Sequence, residues 1–338
     1  AGIHPEIEIG RFLTEIVGFA NTPALLGSVE LVEGEKRSAI ATVHAQIQNQ
    51  GDAWTVTAAY LDRFLEEQRL LAAIGEARES EELILYLRHM SQIGRRTAEL
   101  HLALASASGL IDFTPEPVQP SDIGRWTEAI VRSAERVFDS LRQHSDLFSD
   151  SERQMIDQLL AQRDSLPDRL NGLMPPRVQG LNLRLHGDLQ LGKFLLVKDD
   201  IFITGFEGDP RLPIEERRRK APAARDVASL IWSIEASTHA ARERALHPAQ
   251  DEHGRFSAAL TEWVDRATAT FLAAYREIMT ESSIWPADPV AAQRMLNFFQ
   301  IEKAFEVLET ELAQRPEDAP ATLARVLRML SQPAREAA

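Results

Sequence analysis

The stretch HGDLQLGK (186–193), followed by an apolar run and then FEGDP (206–210), holds the residues best suited to chemistry in this chain. Transferring a phosphoryl group to a hydroxyl needs a carboxylate to orient that hydroxyl and divalent metal to hold the phosphates. Such parts sit on a loop between short strands. The carboxylate comes first, an amide metal ligand follows about five residues on, and an aspartate follows the next hairpin. Asp188 stands at the first position. Lys193 stands at the second and Gly205 at the third. His186, Gly187 and Asp188 alone are a weak triplet. The triplet, the hairpin and FEGDP in series form a much stronger signal.

The elements around this segment follow from periodicity. Pro5 begins an amphipathic helix with Ile9, Phe12, Leu13 and Ile16 on one face and Glu6 and Glu8 near its positive end. Asn21, Thr22 and Pro23 stop it. LLGSVELV (25–32) and SAIATVHAQI (38–47) read as an antiparallel hairpin. Helices are expected over 54–76, 80–106, 121–146, 151–170, 225–245, 256–281, 289–314 and 320–331. After residue 52, short strands are expected only within 181–204. The fold class is therefore α+β and mostly helical. The basic run Arg217, Arg218, Arg219 and Lys220 reads as a solvated loop. Trp126, Trp232 and Trp263 read as helix-packing residues, and His101 as a satisfied interior histidine.

Composition narrows the function classes. The 338 residues carry 37 Lys and Arg against 51 Asp and Glu, a formal net charge of −14, and 44% are hydrophobic. That acidity argues against a dedicated nucleic-acid or anionic-membrane binder. The absence of cysteine excludes disulfides, thiolate zinc sites and cysteine nucleophiles, and fits a cytoplasmic location. No spacing of histidines suggests zinc. No segment has the roughly 20 apolar residues of a membrane span. The chain opens on AGIHPEIEIGRF with no initiator Met and no signal-peptide pattern, which suggests a piece of a longer polypeptide.

In order, HGDLQLGK, GFEGDP (205–210), Glu215-Glu216-Arg217-Arg218 and Arg225-Asp226-Val227-Ala228 resemble the maltokinases, which read approximately HGDLHLGQ, DFEGEP, EER and RDVA. HPEIEIGRFLTE (4–15), FANTPALLGSVE (19–30), NQGDAWT (49–55), GRRTAELHLALA (94–105) and KAFEVLETELAQRP (303–316) extend the resemblance over nearly the whole chain. These are aminoglycoside-phosphotransferase-like kinases, often fused to trehalose synthase. The resemblance implies a protein-kinase-like fold, with 1–48 a remnant of the small N-lobe and 49–338 a helical C-lobe. The catalytic loop and hairpin would lie at 183–210, after a helical insertion near 110–180. It implies ATP and magnesium as cofactors and maltose as substrate. Maltose 1-phosphate would be the product, feeding α-glucan and glycogen synthesis. It implies Asp188 as catalytic base, His186 as a brace of the catalytic loop, and Asp226 as a structural residue holding that loop's backbone. Asn49, Gln50, Gly51, Asp52 and Trp54 would line the cleft near nucleotide or sugar, with Lys193 also facing the nucleotide. One of Glu6, Glu8 and Glu15 would pair with a nucleotide-binding lysine.

Four departures from the maltokinases bear on activity. Gly205 replaces the metal-bridging Asp, and Lys193 replaces the amide ligand. An ammonium cannot coordinate magnesium, though it can stand in for part of its charge. The glycine-rich hairpin and phosphate-binding lysine precede residue 1 in the family. Glu306 and Thr310 stand where the family has tyrosines of the sugar region. Two readings result. One is a catalytically impaired, pseudokinase-like domain acting as a structural or regulatory partner of trehalose synthase on the same polypeptide, with Asp188 reduced to a loop cap. The other is an active maltokinase or related small-molecule kinase, with Glu207 or Asp209 as substitute metal ligand.

Overall fold

The computed structural model describes residues 3–34, 36–74, 81–106, 109–174, 180–245 and 250–331. Expected features at 35, 75, 76 and 80 lie outside them. The chain runs through α1 (Pro5–Arg11), β1 (Leu25–Glu33), β2 (Lys36–His44), α2 (Ala53–Ile74) and α3 (Glu81–Leu104). Next come β3 (Glu116–Pro117), α4 (Pro120–Gln143), α5 (Asp150–Leu160), α6 (Leu166–Leu173) and β4 (Leu181–Asn182). Then follow β5 (Phe194–Val197), β6 (Asp200–Ile203), α7 (Ile214–Arg217), α8 (Ala224–Arg244), α9 (Gln250–Met279), α10 (Pro289–Gln314) and α11 (Ala319–Ser331). Among the described residues no helix is long and apolar enough to cross a membrane.

Two compact units emerge: 1–115 with 183–284, and 116–182 with 285–338. The expected division at 48/49 falls inside the first, because the N-terminal helix and the segment after β2 are tied to the hairpin that follows the HGD loop. The first stretch of the second unit is 116–182.

In the first unit, α1 starts on Pro5, and the His4 imidazole accepts the Glu6 N–H at 3.3 Å. Past Arg11 the helix widens into a π-helical turn over Phe12–Ile16, so the expected continuous α-helix is broken there. Phe12 is buried and stacks on Phe113 with ring centroids 3.6 Å apart. Gly10 lets α1 lie on β1: a Cβ there would be 3.2 Å from Leu25. β1 and β2 pair antiparallel, as the alternation of LLGSVELV and SAIATVHAQI predicts.

The β5–β6 hairpin is stitched along both edges. The Ile203 N–H donates to Asn21 O at 2.8 Å, and the Asn21 amide donates to Asp200 and to Ile201 O at 3.0 Å. On the other edge the Gln50 N–H donates to Leu196 O at 2.8 Å, and the Leu196 N–H to Gly51 O at 3.0 Å. Arg96 of α3 holds Asp200 with two hydrogen bonds of 2.8 and 2.9 Å.

The second unit packs α10 against α4, with edge-to-face contacts of Trp126 on Phe299 and Phe138 on Phe305. The expected helix over 151–170 is two, α5 and α6. Pro167 lacks the N–H needed to continue the first and sits in the opening turn of the second. β3 and β4 pair at the unit's entry and exit, and Asn182 donates to Asp122 at 2.8 Å. Of the tryptophans expected to pack helices, Trp126 and Trp263 are buried and Trp232 is half-buried.

The α3–α9 crossing is set by Gly94, where an added Cβ would lie 2.4 Å from Phe271 O and 3.1 Å from the Ala274 Cβ. Two effects compete at that position. Alanine would favour the helix by about 1 kcal/mol. The contact is with backbone, which cannot swing aside, and overpacking costs about 1–3 kcal/mol or more. Packing therefore wins: Gly94→Ala should lower the urea midpoint, whereas Gly124→Ala, with open space around its Cβ position in α4, should leave it unchanged or raise it.

Candidate functional site

The HGD loop is held from beneath by one buried carboxylate. Asp226, in the first turn of α8, accepts the N–H groups of His186 at 2.9 Å and Gly187 at 3.0 Å. It also meets His101 Nε2 at 3.2 Å, and the other nitrogen of that ring meets the Tyr275 hydroxyl at 2.9 Å. Burial alone would push the Asp226 carboxyl up, but the hydrogen bond and charge of His101, the nearby His186 and the Gly187 N–H outweigh it and hold it low. His101 is thus the satisfied interior histidine expected from sequence.

Gly187 turns the chain with φ +83. His186 then braces the loop from inside. Its Nε2 faces Thr204 O at 3.0 Å, and its Nδ1 faces the Asp188 N–H at 3.3 Å. A carbonyl only accepts and an amide only donates, so the ring carries its proton on Nε2. Burial pushes the His186 pKa down, which suits that neutral form. The Leu191 N–H donates to Ser233 at 3.0 Å, closing the loop's far end on α8.

Asp188 projects from this frame with its side chain 22% exposed. Gln190 donates to its carboxylate at 3.1 Å, and Lys193 Nζ lies 3.8 Å from the same oxygen. The ammonium donates to Glu207 at 2.6 Å. Glu207 is held low: burial opposes this, but the Lys193 hydrogen bond and charge prevail. Gly205 adopts φ +78, and a Cβ there would sit 2.8 Å from Lys193 Nζ. Asp188, Lys193, Gly205 and Glu207 therefore form one cluster, as the order of motifs requires.

Beside it, Glu6 of α1 faces His44 Nε2 at 3.1 Å. Burial, then the neighbouring Glu207 charge, push its carboxyl up. Glu8 points elsewhere. Its carboxylate takes Arg218 in a two-pronged contact of 2.9 and 2.6 Å and Arg184 at 2.5 Å. Glu15 is exposed. Of the three acids expected to face a nucleotide-binding lysine, Glu6 is the one at the site.

Several expected positions are engaged in other work. Asn49 bonds within its own loop, to the Gly51 N–H and Ile47 O, both at 3.0 Å. Gln50 accepts the Lys198 N–H at 2.9 Å, at the turn of the β5–β6 hairpin. Asp52 caps α2 through Thr55 at 2.9 Å. These residues position the hairpin. Asp209 is paired with Arg211 at 2.7 Å. The basic run is not a solvated loop: Arg217 donates to Glu207 O, Arg218 holds Glu8, and Lys220 donates to Ile111 O and Thr114 O. Residues the sequence reading missed are Gln190, Arg184 and His44. Gln190 stands out once HGDLQLGK is set against HGDLHLGQ. Arg184 and His44 carry no local signal.

The residues present do not fit a divalent ion. Gly205 offers no ligand and Lys193 brings a positive charge to the cluster. Asp188, Glu207 and Asp209 do not bring three ligand atoms within 4.8 Å of one another. Glu207 and Asp209, the expected substitute ligands, pair with Lys193 and Arg211 in this structure.

Comparison with known proteins agrees with this geometry at the level of fold. A solved glucosamine kinase in complex with glucosamine, ADP and inorganic phosphate superposes with a TM-score of 0.75 at 19% identity, covering 97% of this chain and 72% of that one. A second crystal form gives 0.73. The chain thus has a mostly helical, aminoglycoside-phosphotransferase-like kinase fold. By sequence it is similar to sugar kinases. The glucosamine kinase of Mycolicibacterium smegmatis is 26% identical over 284 residues, which is 82% of this chain and 61% of that protein. The enzyme of the same name from Streptacidiphilus jiangxiensis is 25% identical, over 82% of this chain and 55% of its own length. The chain therefore spans about three fifths of the curated relatives it matches. No protein-family profile matches it.

The Glu8 ion pairs yield a stability prediction. Arg184 is buried, and burial pushes its guanidinium down to about 10. Removing the shared carboxylate strands that charge beside Arg218, and breaking a buried pair costs about 3–5 kcal/mol. Glu8→Gln should lose stability on that scale in urea denaturation. Glu15→Gln, on the exposed side, should stay within about 0.5 kcal/mol.

Proposed function

We propose that this chain is the kinase-like domain of a sugar-phosphotransferase relative that has kept the catalytic loop and lost metal-dependent phosphoryl transfer. The observation that carries the reading is the lysine ammonium beside Gly205, where an active site of this type needs a carboxylate. Asp188 retains the place of a base that would take a proton from a sugar hydroxyl, and its loop is fully braced. The braced loop alone does not supply phosphoryl transfer. Catalysis in this class is positioning plus electrostatic stabilisation of the phosphates. Each lost interaction of that kind costs several kcal/mol, and each 1.36 kcal/mol is tenfold in rate.

The proposed ligand is a sugar. The names of the sequence relatives favour an amino sugar of the glucosamine type. The HGDLQLGK and FEGDP motifs favour maltose, with trehalose synthase as a partner and α-glucan synthesis as the setting. Glu306 and Thr310 weaken the maltose reading, because they stand where the maltokinases have tyrosines of the sugar region. Lys193 is not the only paired lysine here: Lys303 lies 3.4 Å from Glu306, and Thr310 donates to Glu306 O at 2.9 Å. The domain then serves as a binding or structural module.

An assay of ADP release from ATP and magnesium, with glucosamine or maltose as acceptor, tests the reading. The expected result is no release above the sugar-free background. Gly205→Asp alone should not restore it, since the new side chain meets Lys193 at a backbone angle that disfavours any side chain. Turnover at the ordinary kinase rate of about 1–100 per second in the unmodified chain would overturn the proposal.

A further inference from the structure

We infer that the Lys193 ammonium is a tethered cation that takes over the structural work of a divalent ion, linking the HGD loop to the loop after the hairpin. The inference rests on the functional reading above and adds what has replaced the metal. Three observations converge. Lys193 Nζ is 2.6 Å from the Glu207 carboxylate and 3.8 Å from that of Asp188. These two carboxylates come from the two loops that a bound ion would have to join. The space beside Gly205 is filled by this same side chain: an added Cβ would lie 2.8 Å from Nζ and 2.9 Å from Cδ. Glycine at 205 and lysine at 193 are therefore complementary, each making room for or filling in for the other. The side chain of Lys193 is only 17% exposed, so its charge is directed into the cluster.

The charge arithmetic supports this. Asp188 and Glu207 carry two negative charges, with the Glu6 carboxyl close behind Glu207. Without a cation the pair would repel across a half-buried space. One ammonium lowers that repulsion and is held covalently, so it costs no binding equilibrium with solvent ions. It also leaves no surplus positive charge to attract phosphates. A divalent ion would have to displace an ammonium that already holds a 2.6 Å hydrogen bond.

The test is thermal unfolding of the full chain in EDTA and in millimolar Mn²⁺, on wild type, Lys193→Arg, Lys193→Gln and Lys193→Gln/Glu207→Gln. The wild type and Lys193→Arg should melt within about 1 °C in the two buffers. Lys193→Gln should melt several degrees lower in EDTA and recover in Mn²⁺, because an amide and two carboxylates now surround an empty cation position. The double variant should lose the Mn²⁺ response. A wild type stabilised by Mn²⁺ as much as Lys193→Gln would overturn the inference. So would a folded Lys193→Gln indifferent to Mn²⁺. If Lys193→Gln fails to fold, Mn²⁺ broadening of wild-type amide resonances decides. Unaffected signals from Gly187, Asp188, Glu207 and Gly208 support the tethered cation, and selective loss of those signals refutes it. Because no nucleotide or sugar is present, failure here is separate from failure of the turnover assay.

Discussion

A buried carboxylate with several donors is the constraint on which the site depends. Asp226 is removed from water and must be satisfied locally, since an unpaired buried charge is far too costly. Its donors are the His101 ring and the backbone of His186 and Gly187. Meeting that need joins α3, α8 and the HGD loop, and through Tyr275 it reaches α9. The loop's shape is thus imposed by the helical framework and owes nothing to a ligand on its outer side. That is how Asp188 is held in place.

The outer side shows the opposite economy. Lys193 and Glu207 answer to one another beside Gly205, with the Glu6 carboxyl of α1 close behind Glu207. Glu207 is tied to α7 only through its backbone carbonyl, which accepts from Arg217 at 3.0 Å. Its side chain accepts from the Lys193 ammonium at 2.6 Å. The helix α1 is secured separately, by Glu8 on Arg184 and Arg218, and so needs no nucleotide-bound lysine to stay docked.

Much of this was legible in the sequence, and the gaps have physical reasons. Helix positions followed from apolar periodicity, and the hairpin β5–β6 from short β-like runs between turn residues. The order of HGD, hairpin and FEGDP placed Asp188 and Gly205 together. The type of Lys193 marks it as a charge that opposes magnesium, and in the structure it contacts Glu207 and Asp188. That its partner is Glu207 could not be read, because spacing in a loop does not set side-chain direction. The run at 217–220 was misread for a related reason: Glu8 lies 210 residues from Arg218, and local polarity cannot reveal so distant a partner. NQGD was assigned to ligand contact from its place after β2. In the structure Asn49 bonds within its own loop, Gln50 and Gly51 bond to β5, and Asp52 caps α2, ordinary work for such residues at turns and helix starts.

The central claim is that a lysine, in place of a metal ion, bridges the two loops. Crystals soaked in millimolar Mn²⁺ and measured at the manganese absorption edge test it most directly. The account predicts no anomalous peak within coordination distance of Asp188 or Glu207, with the Lys193 ammonium in density between them. A manganese peak coordinated by both carboxylates, with Lys193 swung away, would contradict it.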